Sequence, residues 1–535
     1  VGTVGVVYDN DFRVATQLVN GADSIQFAYD DDGLLVQAGA LTLGRNTTNG
    51  LLAADTLGPV KSAYQYSTRG ELTGYRVKHA TTTLFATGYV RDSLGRITQL
   101  FDTTQGTPTR WSFVYDSLGR LVKDSVNGAV FHVFTYDANG NRLSYTSGAG
   151  TVNYSYDNQD RLLWSRVGTD TTHYTYGSNG ELKRKIAPGA DTTNYSYDAL
   201  GNLITVVLPD ATEIEYVIDG QNRRVGRKVD GVLVQSWLYQ NQLNPIAELD
   251  SAGNVVSRFV YGSRANVPDY MIRGDSVFRL VTDHLGSVRL VVDTATGVVA
   301  QRIDYDEWGN VTTNTNPGFQ PFAFASGIFD GATMLVRFGA RDYDALAGRW
   351  TSRDPLLTGS GSANLHEYSS NEPVNNSDPR GLSIAEDILS YFKCPSGESC
   401  KAALGNLAAD FLLGGIDDIW KGFKLMFGSG GLQKLAEKKL REMIWRANRG
   451  QWEAAEGLAR AATGLERDAA RQAAAGGFTT LAAEGGTGLD LKDFANQALV
   501  ISVFKTIPGL GEVISVIDAA RACIPAFQSW LTRIL

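Results

Sequence analysis

The chain has 535 residues and a formal net charge of −8 at pH 7; it is long enough for several domains with a large core, and its acidic balance argues against a general nucleic-acid binder. Hydrophobic residues make up 43% and charged residues 20%, the composition of a globular chain rather than a disordered one. Three Cys exclude a disulfide framework, and five His (His79, His132, His173, His284, His366) leave little imidazole chemistry to distribute.

No basic segment followed by an apolar run comes after Val1, so no signal peptide is visible and the sequence reads as a fragment or a processed product. No charge-free apolar stretch of about 20 residues is present, which argues against a simple membrane span. Up to about residue 380 the chain is rich in Thr, Val, Tyr, Asp, Asn and Gly, with short apolar alternations broken by Gly/Asn/Asp clusters. That is the pattern of short strands and tight turns.

Within this region a unit recurs: FVYDSLGRLVK from Phe113, FTYDANGNRLS from Phe134, YSYDNQDRLLW from Tyr154, YTYGSNGELKR from Tyr174 and YSYDALGNLIT from Tyr195. Weaker copies surround them, including VVYDNDFRV, FAYDDDGLL, YVRDSLGRI, YVIDGQNRR and YDEWGNV. In each, an aromatic-x-Tyr strand runs into Asp-x-x-Gly. There Asp can bond the following backbone and Gly supplies a positive φ, before a return strand begins. A hairpin of this kind cannot bury its own face, so stacked copies predict a wide, continuous, curved antiparallel sheet.

These Tyr-Asp-x-x-Gly-Arg-Leu units resemble the YD repeats of the Rhs family, which includes bacterial Rhs proteins, the C subunits of insecticidal ABC toxins and the animal teneurins. Downstream, DHLGSVRLVVD (Asp283–Asp293), IDYDEWGN (Ile303–Asn310), RFGARDYDALAGRWTSRDPL (Arg337–Leu356) and HEYSSNEPVNNSDPRGL (His366–Leu382) resemble the Rhs-associated core in order and spacing. The resemblance covers residues 1 to about 382. It implies a mainly β fold in which YD-repeat hairpins spiral into a hollow shell, or cocoon. On this reading residues 1–275 are the repeat shell, 276–382 the core that closes it, and 383–535 a variable C-terminal segment held inside, often a toxin.

Two Asp-Pro pairs flank the end of the core, Asp354-Pro355 and Asp378-Pro379, with Arg341 upstream. Taken singly, an Asp before Pro is a turn former. Taken together, two carboxylates that meet can share a proton, one activating water while the other polarises a peptide carbonyl, and an Arg can steady the developing charge. The resemblance implies such an intramolecular aspartyl protease: Asp354 and Asp378 as the acid pair and Arg341 as the assisting cation. The motif Asp378-Pro379-Arg380-Gly381-Leu382 would then be cut at Leu382–Ser383. His284, beside a Gly turn, reads as a turn or surface residue. Arg349-Trp350 reads as packing of the closing core, and the aromatic stripes read as shell packing rather than sugar platforms. No Asp-rich loop has the ligand spacing of a Ca²⁺ site, and no cofactor is expected.

From Ser383 the texture turns to Ala, Leu, Glu, Lys and Arg with helical periodicity, and acidic and basic residues balance. Ser383 to Glu386 reads as a capping box. Cys394 and Cys400 bracket a short loop that a disulfide could close, with two free thiols the alternative. The apolar run near the C-terminus is either a buried helix with a Pro-Gly bend or a membrane-active hairpin. With no His in this segment, His-metal nuclease, zinc deaminase and Ser-His-Asp chemistries are excluded from it.

Two readings follow: a self-cleaving shell enclosing a toxin-like tail, or a non-enzymatic secreted or surface scaffold whose uncut tail serves as a plug. In the first, the partners implied are the chain's own C-terminal segment, an upstream plug domain, secretion machinery or an immunity protein. The expected location is secreted or at the cell surface.

Overall fold

The repeated hairpins are closed by their own turns. In Phe113–Lys123, the Asp116 carboxylate accepts from the backbone N–H of Leu118 (2.9 Å) and Arg120 (3.0 Å) through Oδ1, and from Arg120 Nε (2.7 Å) through Oδ2. Gly119 sits at φ +89°, a conformation glycine adopts without steric cost. The Arg120 guanidinium then lies 4.9 Å over the ring of Tyr136, in the next unit, and the Tyr136 hydroxyl donates to the carbonyl of Leu121 (2.7 Å). The same relay joins Asp92, Arg96 and Tyr115, and again Asp219, Arg223 and Tyr239. The YD signature is therefore a zip along the turn edge: each Arg closes its own hairpin and receives the tyrosine of the following one.

The computed structural model describes residues 2–357 and 362–382. Among these, 30 strands form one antiparallel sheet in which each strand pairs with its neighbour in sequence, from Val4–Tyr8 to Val311–Asn314. The expected long antiparallel sheet of repeated hairpins is thus present. A bulge recurs just before the YD tyrosine, as between Val114 and Tyr115 or Thr135 and Tyr136, and bulges bend and twist a sheet. The first aromatic of each unit and the Leu after the turn face one side. Phe113, Phe134, Tyr154, Tyr174 and Tyr195 are buried there with Leu121, Leu162, Leu182 and Leu203.

The bending brings distant strands face to face. Leu41, Leu43 and Leu57 share a core with Val260 and Tyr270, and Val77 and Phe85 share one with Val281, Leu290 and Val292. Two arginines bridge the layers: the buried Arg279 pairs with Asp55 and Asp269 (3.1 Å each), and the half-buried Arg289 with Asp102 (2.8 Å) and Asp304 (2.9 Å).

After Asn314 the chain leaves the sheet and runs along the zipped turn edge as a closing segment. It carries a four-stranded sheet, Ile328–Asp330, Leu335–Phe338, Arg341–Asp344 and Arg349–Trp350. Its interior is an aromatic cluster of Phe324, Phe338, Tyr343, Trp350 and Tyr368, so Trp350 packs this core as expected. The closing segment docks where repeats carry Asn in place of the zipping Arg. Asn141 receives Asn364 Nδ2 (2.9 Å), and Asn202 accepts from Arg337 Nη2 (2.9 Å). Arg224 and Arg337 both pair with the buried Asp342, at 2.8 and 3.0 Å. His284 lies in its turn as expected and is half-buried. Its Nε2 bonds the carbonyl of Val374 (2.6 Å) and its ring packs on Tyr89, because the closing segment covers this turn. Val1–Ser383 forms one compact unit. The helical texture and the cysteine loop expected after Ser383 lie outside the described residues. Among the described residues no helix is long and apolar enough to cross a membrane.

Candidate functional site

Arg341 opens the strand Arg341–Asp344, and its side chain is among the largest fully buried ones. A buried guanidinium needs each of its donors met, and four acceptors meet it. Nη2 pairs with Asp354 Oδ2 at 2.7 Å and with Asp378 Oδ2 at 3.3 Å. Nε donates to the carbonyl of Gly381 (2.5 Å), and Nη1 to that of Leu365 (3.2 Å). Its flat face lies 4.2 Å from the centre of the Trp350 ring. The three residues singled out in the sequence are therefore neighbours, with Arg341 as the common partner of both acids.

Local chain geometry explains the convergence. The carbonyl of Leu365 also accepts from the Asp354 backbone N–H (2.9 Å), so one carbonyl places both Asp354 and Arg341. Asp354 Oδ1 accepts from Leu356 N–H (2.9 Å) in the Asp-Pro turn. At the other end, the backbone N–H of Ala340 donates to the carbonyl of Arg380, and Gly381 N–H donates to that of Asp378. Gly381 has φ +63°, and a Cβ there would lie 2.5 Å from the Phe338 carbonyl oxygen. Only glycine lets the chain pass this close to the strand Leu335–Phe338.

The site is dry: Arg341 is 2%, Asp354 1% and Asp378 8% exposed. Burial pushes the Asp378 carboxyl above its ordinary range, while the Arg341 charge and the Leu382 and Gly381 backbone donors pull the other way. One guanidinium facing two carboxylates leaves one negative charge in excess in a dry place, and a proton on one acid removes it. Asp378 Oδ1 accepts from the N–H of Leu382 (3.0 Å). The peptide Gly381–Leu382 is thus gripped at both ends, its carbonyl by Arg341 and its N–H by Asp378. This fixes the residue that precedes the expected scissile bond. Ser383 lies outside the described residues.

Leu365 and His366 were not singled out for this site, and Trp350 was read only as core packing. Trp350 supplies the floor under Arg341 and Leu365 the shared carbonyl. His366 is buried beside them, held neutral first by its desolvation and then by the Arg349 and Arg341 charges. None has a linear signature; their parts depend on pairing across the closing segment.

A family model described as Teneurin YD-shell matches residues 3–374. Human Teneurin-4 is 28% identical over 389 residues, covering 69% of this chain and 14% of that protein. The tRNA3(Ser)-specific nuclease WapA of Bacillus spizizenii is 25% identical over 277 residues, covering 50% of this chain and 12% of its own. Among solved structures, the Photorhabdus luminescens Tc holotoxin pore superposes with a TM-score of 0.54 at 17% identity, over 71% of this chain and 21% of that one. The chain spans only a small part of the length of these relatives.

Proposed function

The chain belongs to the Teneurin YD-shell family, and on that premise we propose that its closing segment cuts the peptide bond after Leu382 and so separates the residues from Ser383 onward as a payload. The observation that carries this reading is the single nitrogen Arg341 Nη2 bridging Asp354 and Asp378, with Asp378 also holding the N–H of Leu382. In the proposed reaction a water molecule attacks the Leu382 carbonyl carbon. Asp354, in the shorter pair with Arg341, accepts a proton from that water. Asp378, pushed toward its protonated form by burial, gives a proton to the carbonyl oxygen. Collapse of the tetrahedral diol breaks the C–N bond as a proton passes to the Ser383 nitrogen, leaving a Leu382 carboxyl and a Ser383 amine.

The relationship to a nuclease-bearing protein and the fold shared with a toxin shell support a toxin-like payload enclosed by the shell and carried in a secreted or surface protein. Its partners would be its own C-terminal segment, an upstream plug, secretion machinery and an immunity protein. One observation favours a second reading, an uncut scaffold: both acids are already engaged, Asp378 by Leu382 N–H and Arg341 and Asp354 by Leu356 N–H and Arg341. That is also how a static clasp looks.

A denaturing gel of the purified protein separates the two. Cleavage gives two fragments, the smaller beginning at Ser383 by N-terminal sequencing, and Asp354→Asn or Asp378→Asn gives one band. A single wild-type band establishes the clasp.

A further inference from the structure

Away from this site, a second buried cluster joins the turn between the sheet's last two strands to a distant hairpin of the same sheet. Asp124 lies on the strand Leu121–Val126, His132 on the adjoining strand Ala129–Tyr136, and Glu307 in the turn after Val299–Tyr305. His132 Nδ1 lies 3.0 Å from Asp124 Oδ2 and 3.0 Å from Glu307 Oε2. The three side chains are 4%, 0% and 1% exposed.

A proton serves this arrangement poorly. One ring N–H points along one direction and cannot donate well to two carboxylates at once. The second Glu307 oxygen, Oε1, is buried with no hydrogen-bond partner, a costly state for a carboxylate. Asp306, next to Glu307 in the chain, adds a further carboxylate close by. Even with His132 charged, two carboxylates and one imidazolium leave the cluster negative in a dry interior.

We propose that Asp124, His132 and Glu307 bind a divalent cation of the zinc class, which ties the turn between the sheet's last two strands to the strands Leu121–Val126 and Ala129–Tyr136. The donor atoms all lie within 4.8 Å of one another. With metal–ligand distances of about 2.0–2.2 Å, neighbouring donors around a tetrahedral ion stand roughly 3.3 Å apart, close to the two His132 separations. Neutral imidazole and two carboxylates balance a dication, and a water in the fourth tetrahedral position would donate to the otherwise unpartnered Glu307 Oε1. An imidazole nitrogen within so small a donor set favours zinc over calcium or magnesium. The residues come from segments about 180 positions apart, so no linear spacing announces them.

The test is metal content by mass spectrometry of the full chain, produced in zinc-supplemented medium and dialysed, with Co²⁺ substitution read by visible absorption. One equivalent of zinc is expected, and cobalt should give tetrahedral bands without thiolate charge transfer. Cys394→Ser, Cys400→Ser and Cys523→Ser together should leave both unchanged. Glu307→Gln and Asp124→Asn should each lose the metal, and chelation should lower the melting temperature of the wild type alone. Metal-free wild type, or a folded Glu307→Gln protein that keeps its equivalent, overturns the proposal. Because wild-type content is read directly, misfolded variants do not shelter it. A single-band gel for self-cleavage would leave this result untouched.

Discussion

Glu372 offers a graded test of how firmly the closing segment is seated. It is 6% exposed and lies six residues before Asp378 in the same irregular stretch. Asn375 and Asn376 donate side-chain amides to its two oxygens, and Asn375 in turn reaches the sheet at Ile97 N–H and Tyr115. Burial raises its carboxyl from 4.5 to about 8, opposed in part by the Asn375 amide and the Arg96 charge. A raised folded value means the native state keeps a proton that the unfolded chain gives up. The contribution is therefore fully present below pH 4.5 and lost as pH rises to about 8. At ~1.4 kcal/mol per pH unit the whole span is worth up to about 5 kcal/mol, of which about 3 is already lost at pH 7. Glu372→Gln removes this dependence, at a cost of about 1 kcal/mol for one acceptor exchanged for a donor. The variant should melt about 1–3 °C above wild type at pH 7.5 and slightly below it at pH 4.5. The assay is a pair of thermal melts across that range. A difference that keeps one sign and size from pH 4.5 to 8 would refute the assignment of a buried, proton-holding Glu372.

The other predictions concern the arginines and the last turn. Arg279→Met leaves Asp55 and Asp269 buried without their cation and should cost about 3–5 kcal/mol in denaturant unfolding; a loss under 1 kcal/mol would mean the layers are not held by this bridge. Gly381→Ala puts a Cβ against the Phe338 carbonyl at a positive φ, so about 2 kcal/mol of stability and all of the proposed cleavage should go; unchanged cleavage on a gel would speak against the close approach. Arg341→Lys keeps the charge but lacks the fork that reaches both acids and Gly381. The proposed cleavage should slow at least about tenfold in a time course, since lysine is no substitute at a forked site.

How far the sequence could be read depended on the range of the interaction. The hairpins were legible because every part of the unit lies within about a dozen residues: strand aromatic, turn Asp, positive-φ Gly and zipping Arg. The acid pair with Arg341 was legible only through resemblance, since nothing in the order of residues requires Asp354 and Asp378 to meet. Leu365 and His366 were hidden, and Trp350 was read only as packing, because a ring floor and a backbone carbonyl leave no motif. His284 was read as a turn or surface residue; it lies in its turn, and its partner, the carbonyl of Val374, comes from 90 positions away and could not be read from the sequence. The Asp124, His132 and Glu307 cluster was missed for the same reason. Asn141 and Asn202 stand where other units carry the zipping Arg. They are the places where the zip is left open for Asn364 and Arg337.

That last feature ties the proposed chemistry to completion of the fold. Arg341 is followed directly by Asp342, whose carboxylate is held between Arg337 and Arg224, with Arg337 also bonded to Asn202. Successive residues of a strand point to opposite faces. The strand Arg341–Asp344 can therefore present Arg341 to the acid pair on one side only when Asp342 is seated against the repeat edge on the other. An Asp342 left unseated would keep Arg337 and Arg224 as unpaired buried cations, an arrangement costly enough to disfavour any partly closed form. The acid pair thus acquires its shared cation at the moment the closing segment locks onto the sheet. On the proposed chemistry, no competent acid pair exists before the closing segment is seated, so the proposed cut would wait for completion of the fold.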